Sequence, residues 1–277
     1  DKLVTGVQTC ALPILLRGMD LVALGNYSGS ATKLGSDATM AVIAGKDSGI
    51  ARGDLKSLKG KKIAASFGTI NHLYILAVLE KAGLTPADVT LVNTPPPEMT
   101  VALLAKGIDA CSAWDPWPIV ALKDVRGAVE VLRGGDNIAY LGYNVTLRPW
   151  MEKNGATIER FLAAVSEADQ WMRANPKQAA QVATRWIPSL KPDVAEAAMV
   201  YNIQQNDRRL SANNYRALWS AQDRLFRLGV IKSTFDVNKH IEPRFILSVM
   251  QKEPGLFSDM PAIPASVALK PGFVFKP

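Results

Sequence analysis

The chain has 277 residues, 48% apolar and 21% charged, which is enough to bury a core in one large or two smaller domains. Its net charge of +7 is spread over scattered Lys and Arg, without the dense basic run of a nucleic-acid arm. The apolar runs are too short to span a bilayer, and two cysteines, Cys10 and Cys111, make neither a disulfide framework nor a metal cluster.

The N-terminus reads as foreign. Residues 4–14, VTGVQTCALPI, match at every position the in-frame translation of a common sequencing adapter, so residues 1–14 are set aside as a fusion artefact. On that reading Cys10 is not part of the natural protein, and a signal peptide is expected to have been lost with the true start. From Met19 onward, DLVALGNYS and TMAVIAGKD read as strands bounded by Gly, Ser and Asp. A regular alternation follows: a strand near Ile63, a helix over 70–82, a strand near Val89, a helix over 98–106, a strand up to Trp114, a helix over 118–125 and a strand near Val129. This alternation predicts right-handed βαβ units around a parallel sheet. Gly83 and Gly107 stand where helices need a left-handed C′ residue. The segment 137–148 reads as extended.

After Pro149 the pattern is helical. Ile158, Phe161, Leu162, Val165, Ala168 and Met172 share one face, Asn175-Pro176 ends that helix, and further helices follow near 194–201 and 215–228, the latter stopped by Gly229. The tail from Glu253 is proline-rich and aperiodic, and either wraps the surface or is disordered. The expected organisation is a lobe at 61–147, crossing segments included, and a second lobe from 15–60 with 148–252. A lobe inserted between two extended crossings predicts a hinged clamshell. Ligands of open α/β sheets bind beyond the carboxyl ends of strands, which puts Gly68–His72 and Trp114–Trp117 on one rim.

Two constellations on that rim carry the chemistry. In Gly68-Thr69-Ile70-Asn71-His72 a glycine lets the backbone approach a bound group, a hydroxyl is at hand, and the first N–H groups of a helix suit an oxyanion. An ordinary capped helix explains the same residues. In Ala113–Pro118, AWDPWP, Asp115 sits between two indoles and two prolines, placed to bind a cationic group or to orient a donor while Trp114 and Trp117 wall an apolar part. The plainer alternative makes Trp114 core and Asp115 a helix cap. Catalysis finds no motif: there is no Gly-x-Ser-x-Gly, HExxH or CxxC, and Asp54, Asp109 and Asp115 lack metal-ligand spacing.

Three segments, 46–89, 103–122 and 148–171, together resemble the solute-binding proteins of ABC importers in the nitrate/taurine/aliphatic-sulfonate (NMT1-like) group. The first carries a Gly-Ser/Thr-x-x-His element at Gly68, Thr69 and His72. The second carries Gly-x-Asp-Ala and Trp-Asp-Pro. The resemblance covers about 19–247. It implies a two-lobed, type II-like α/β fold whose first lobe is incomplete here, closing on a small anionic or zwitterionic ligand, with no catalysis, cofactor or metal. Gly68 and Thr69 would hold the anionic head beside Asn71 and His72, with Trp114 and Asp115 at the other end and Tyr143 and Asn144 on the return crossing. The implied partners are an ABC permease with its ATPase and no nucleic acid; the implied protein is a monomer in the periplasm or another extracytoplasmic space, taking taurine or an aliphatic sulfonate. An enzyme of the thiamine-pyrimidine synthase type and the sensing domain of a regulator are the alternatives.

Overall fold

A computed structural model describes residues 19–140, 142–187 and 189–277; the adapter-like stretch and Cys10 lie outside the described residues. The chain divides into two compact units, one built from residues through Ser36 with 139–175 and 205–277, the other from 37–138 with 176–204.

The second unit holds a five-stranded sheet. Its strands are β2 (Met40–Ala44), β3 (Lys62–Ala65), β4 (Thr90–Asn93), β5 (Ala110–Trp114) and β6 (Val129–Arg133), in the order β4-β3-β5-β2-β6. β3 runs parallel to β4 and β5, as the alternation predicts. The wholly parallel sheet is corrected: β2 lies between β5 and β6, antiparallel to both. All five residues of β2, MAVIA, are buried, and an unbroken apolar run of that length is what a strand covered on both faces requires. Residues 37–60, expected in the other lobe, thus supply a central strand here. A helix α1 (Ile70–Lys81) follows β3, and its residues 70–79 are buried without interruption. A helix apolar all round belongs in a core. Asn71 on α1 reaches Ser112 of β5. Helices α2 (Pro96–Leu104) and α3 (Trp117–Asp124) cover the opposite face, where Met99, Leu103 and Ala121 join Ala41, Ile43, Cys111 and Ala113 in one cluster. Successive strand residues point to opposite faces, so Ser112 and Cys111 divide the helices between them.

Helix ends follow the sequence with one exception. Gly83 takes the left-handed C′ position after α1 (φ +73). After α2 that position falls to Lys106 (φ +55) rather than Gly107, because the helix stops at Leu104 and the Gly107 N–H closes back onto Ala102 O. Helices α6 (Pro176–Trp186) and α7 (Pro192–Asn202), expected with the first lobe, complete this unit, with Lys123 and Lys191 paired to Asp193 and Asp124.

The first unit holds β1 (Leu21–Ser28) antiparallel to β7 (Gly142–Leu147), then α4 (Arg148–Lys153), α5 (Gly155–Ala174), α8 (Ala212–Arg227) and α9 (Arg244–Lys252). α5 has a buried stripe one position round from the expected one. Ile158, Leu162, Ser166 and Asp169 are inside, while Phe161 is 47% exposed. Asp169 is drawn inward by Arg208, whose Nη2 donates to Oδ1 at 2.9 Å. The proline-rich tail is ordered along this unit: Phe257 and Phe275 are buried, Asp259 pairs with Arg173, and Phe273 meets Tyr215 edge-on. No described helix is long and apolar enough to cross a membrane.

Candidate functional site

Because β3, β5 and β6 run the same way, their carboxyl ends share one edge of the sheet. Register places Trp114 opposite Met40, and Ala41 opposite Arg133. The turn after β3 therefore lies on the same rim as the turn after β5, as the sequence implied, and two hydrogen bonds tie the start of α1 to β5. Asn71 Nδ2 donates to Ser112 O at 3.0 Å, and Ser112 Oγ donates to Asn71 O at 3.1 Å.

The turn itself spends its donors inward. Ser66 N–H donates to Asn71 Oδ1 (3.1 Å), Phe67 N–H to Asn93 Oδ1 (2.9 Å), Gly68 N–H to His72 Nδ1 (3.4 Å) and Thr69 N–H to Ser66 O (3.3 Å). The Thr69 hydroxyl has two inward acceptors for its one proton, Ser66 O at 2.6 Å and Asn71 Oδ1 at 2.5 Å, and makes no side-chain cap, so this threonine does not act as an ordinary cap. The next three N–H groups, those of Ile70, Asn71 and His72, have no acceptor among the described residues; the first bond of the ladder runs from Leu73 to Thr69. No acidic side chain lies in the first turn. Unpaired N–H groups and an uncompensated dipole end make this an anion-seeking position. The N–H groups left open are those of 70–72, the first of the helix, while the N–H groups of Gly68 and Thr69 are bonded inward. Gly68 keeps its part through its backbone: its φ of +75 suits glycine, and nothing lies within 4 Å of where a Cβ would be.

His72 is 8% exposed and stacked on Phe67, ring centroids 4.7 Å apart at 18°. Burial holds its pKa below the usual imidazole value. Asn71 is fully buried and acts as a brace between α1 and β5, because its Oδ1 and Nδ2 are both bonded within the protein.

At the second constellation the structure corrects both readings. The Asp115 carboxylate neither stands free for a cationic ligand nor caps a helix. It accepts from Arg133 Nη1 at 3.0 and 2.9 Å, with no side-chain exposure, while Arg133 Nε donates to Glu130 at 2.8 Å. The Arg133 guanidinium lies 4.3 Å over the Tyr201 ring. Burial pushes the Asp115 carboxyl up to about 7 against the pull of that guanidinium. Trp114 is half-buried, and Trp117 packs on the core cluster. Sequence reasoning missed Arg133; the signal was a basic residue closing VEVLR at a rim-facing strand end.

Tyr143 and Asn144 lie on β7 of the other unit. The Tyr143 hydroxyl donates to Asn214 O at 3.3 Å, burial raising its pKa, and Asn144 Nδ2 donates to Asn26 O at 2.9 Å. Asn144 also lines a groove of 530 Å³ with Leu24, Leu147, Trp150 and Phe161.

Similarity to known proteins agrees with this architecture. An aliphatic sulfonates-binding protein of Escherichia coli (strain K12) is 33% identical over 139 residues, 50% of this chain and 43% of its own length. The chain thus spans less than half of that relative. The crystal structure of the periplasmic aliphatic sulphonate binding protein SsuA from Escherichia coli superposes with a TM-score of 0.72 at 24% identity, covering 83% of this chain and 71% of that one. The desulfurization enzyme DSZB superposes at 0.62 with 16% identity, over 87% and 83%. The family described as NMT1/THI5 like matches residues 29–179, more than half of the sequence, and the chain belongs to that family.

Proposed function

We propose that the chain is the substrate-binding component of an ABC importer, capturing a small organic anion, taurine or an aliphatic sulfonate, and delivering it to a membrane permease in an extracytoplasmic space. The two units are its two lobes. The observation that carries the reading is the row of unpaired N–H groups at Ile70, Asn71 and His72 on the carboxyl rim of a sheet. The sulfonate-binding relatives and the net charge of +7 support it.

A second reading, an enzyme on this fold, is favoured by the likeness to DSZB. Cys111 is not the nucleophile of such a reaction: it is 1% exposed inside β5 and burial pushes its thiol up to about 12.

Calorimetric titration with taurine, short and long alkanesulfonates, benzenesulfonate, nitrate and a neutral pyrimidine tests the reading, with recovery of unchanged ligand separating binding from turnover. A sulfonate binds at micromolar or tighter affinity and is recovered intact. The variant Thr69→Asp sharpens the test. Its carboxylate takes the orphan N–H groups itself, so sulfonate affinity falls at least tenfold. Equal affinity in this variant, or no binding by the folded protein, refutes the seat.

A further inference from the structure

Among the four inward-turned donors of the turn, the Gly68 N–H has an acceptor that a proton abolishes. It donates to His72 Nδ1, which fixes that nitrogen as the bare one of a neutral ring. Ser66, Phe67 and Thr69 donate to amide or carbonyl oxygens, which do not titrate in the ordinary range. The two groups that touch the imidazole, the Phe67 ring and the Gly68 N–H, are neutral, and so are Asn93 and Ser112, which hold Phe67 and Asn71 beside it. Burial holds the ring's pKa low, with no charged side chain contributing.

Two effects oppose a cation on this ring: desolvation, and its place in the first turn of α1, where the helix end is already positive. An anion at the N–H groups of 70–72 counters both, because it supplies a charge of opposite sign within the same turn. It also offers a new acceptor to Gly68, a glycine whose backbone is free to turn and whose Cα faces open space. We propose, resting on the anion reading above, that His72 is a proton switch on this seat: anion binding draws a proton from solvent onto Nδ1, breaks the Gly68–His72 hydrogen bond and releases the Gly68 N–H to the ligand. His72 is then a positioning residue that acts through Gly68, and the proton it takes up leaves again with the anion. Affinity falls as pH rises between the free and bound midpoints, by up to about tenfold per pH unit for one proton.

Nitrogen-15 spectra of the two histidine rings and of the Gly68 amide, recorded from pH 5 to 8 with and without saturating ethanesulfonate, test this. At pH 7.5 His72 Nδ1 reads as unprotonated, the Gly68 amide shift follows the His72 midpoint, and ethanesulfonate moves that midpoint upward. Calorimetry in two buffers of different ionisation heat shows fractional proton uptake, which disappears in His72→Gln, whose amide oxygen still accepts from Gly68. A Gly68 amide that stays flat while His72 titrates overturns the switch. Failure of every sulfonate to bind removes the anion reading and the ligand-driven switch with it, and a Gly68 amide that still tracks His72 then marks only a pH-dependent turn; binding with an unmoved midpoint overturns the switch and spares the anion reading.

Discussion

Asp115 and Arg133 show how a site residue is decided by a partner distant in sequence. The carboxylate has no side-chain exposure, and removing it leaves a largely buried guanidinium with Glu130 as its remaining anion. At pH 8, where the carboxyl is charged, Asp115→Ala costs about 3 kcal/mol in urea denaturation, the low end for breaking a buried pair. The double variant Asp115→Ala with Arg133→Met recovers part of that loss, because no buried charge is stranded. His72 gives a second residue-scale prediction. Its folded pKa lies below the unfolded value of about 6.5, so the unfolded chain binds the extra proton. Its contribution to stability is complete above that value and is lost as pH falls from there through the folded pKa. Stability curves at pH 5 and 7.5 check this: His72→Gln removes that part of the acid loss, and an unchanged slope contradicts it. The residues of the α1 turn were legible because they are contiguous, Gly68 to His72. Arg133 was not, because its pairing with Asp115 requires β2 to lie between β5 and β6, and that order is written nowhere locally.

At the scale of elements, spacing read well and placement less so. The alternation from β3 to β6, the start of α1 and the end of α5 were visible as period and punctuation. β2 was visible as a strand but not as a member of this sheet. Its uninterrupted burial was the available sign, since a strand with one wet face alternates. The stripe of α5 was misplaced by one position because Asp169 counts as polar in any apolar pattern, yet Arg208 makes it an inside residue. The end of α2 supplies the prediction for this scale. Lys106 holds a left-handed conformation that costs an L-residue and costs glycine nothing, and its pair with Asp47 is fully exposed. Lys106→Gly therefore raises the urea midpoint, and a lowered midpoint would show that the surface pair outweighs the backbone strain.

For the molecule as a whole, family membership follows from the NMT1/THI5-like match over 29–179 and the fold from the superposition on SsuA, while the chain spans less than half of a curated relative. The α/β class and the presence of two bodies were legible from the change of pattern near Pro149. Their composition was not, since 37–60 and 176–204 join the sheet-bearing unit through contacts remote in sequence. The claim on which the account turns is narrow: three consecutive backbone N–H groups at the start of α1 receive an anion. Amide proton–nitrogen spectra recorded during an ethanesulfonate titration address it directly. The amide protons of Ile70, Asn71 and His72 are expected to move downfield together as the ligand binds, and in Thr69→Asp to be already downfield and unresponsive. Binding of ethanesulfonate with those three amides unmoved would contradict it.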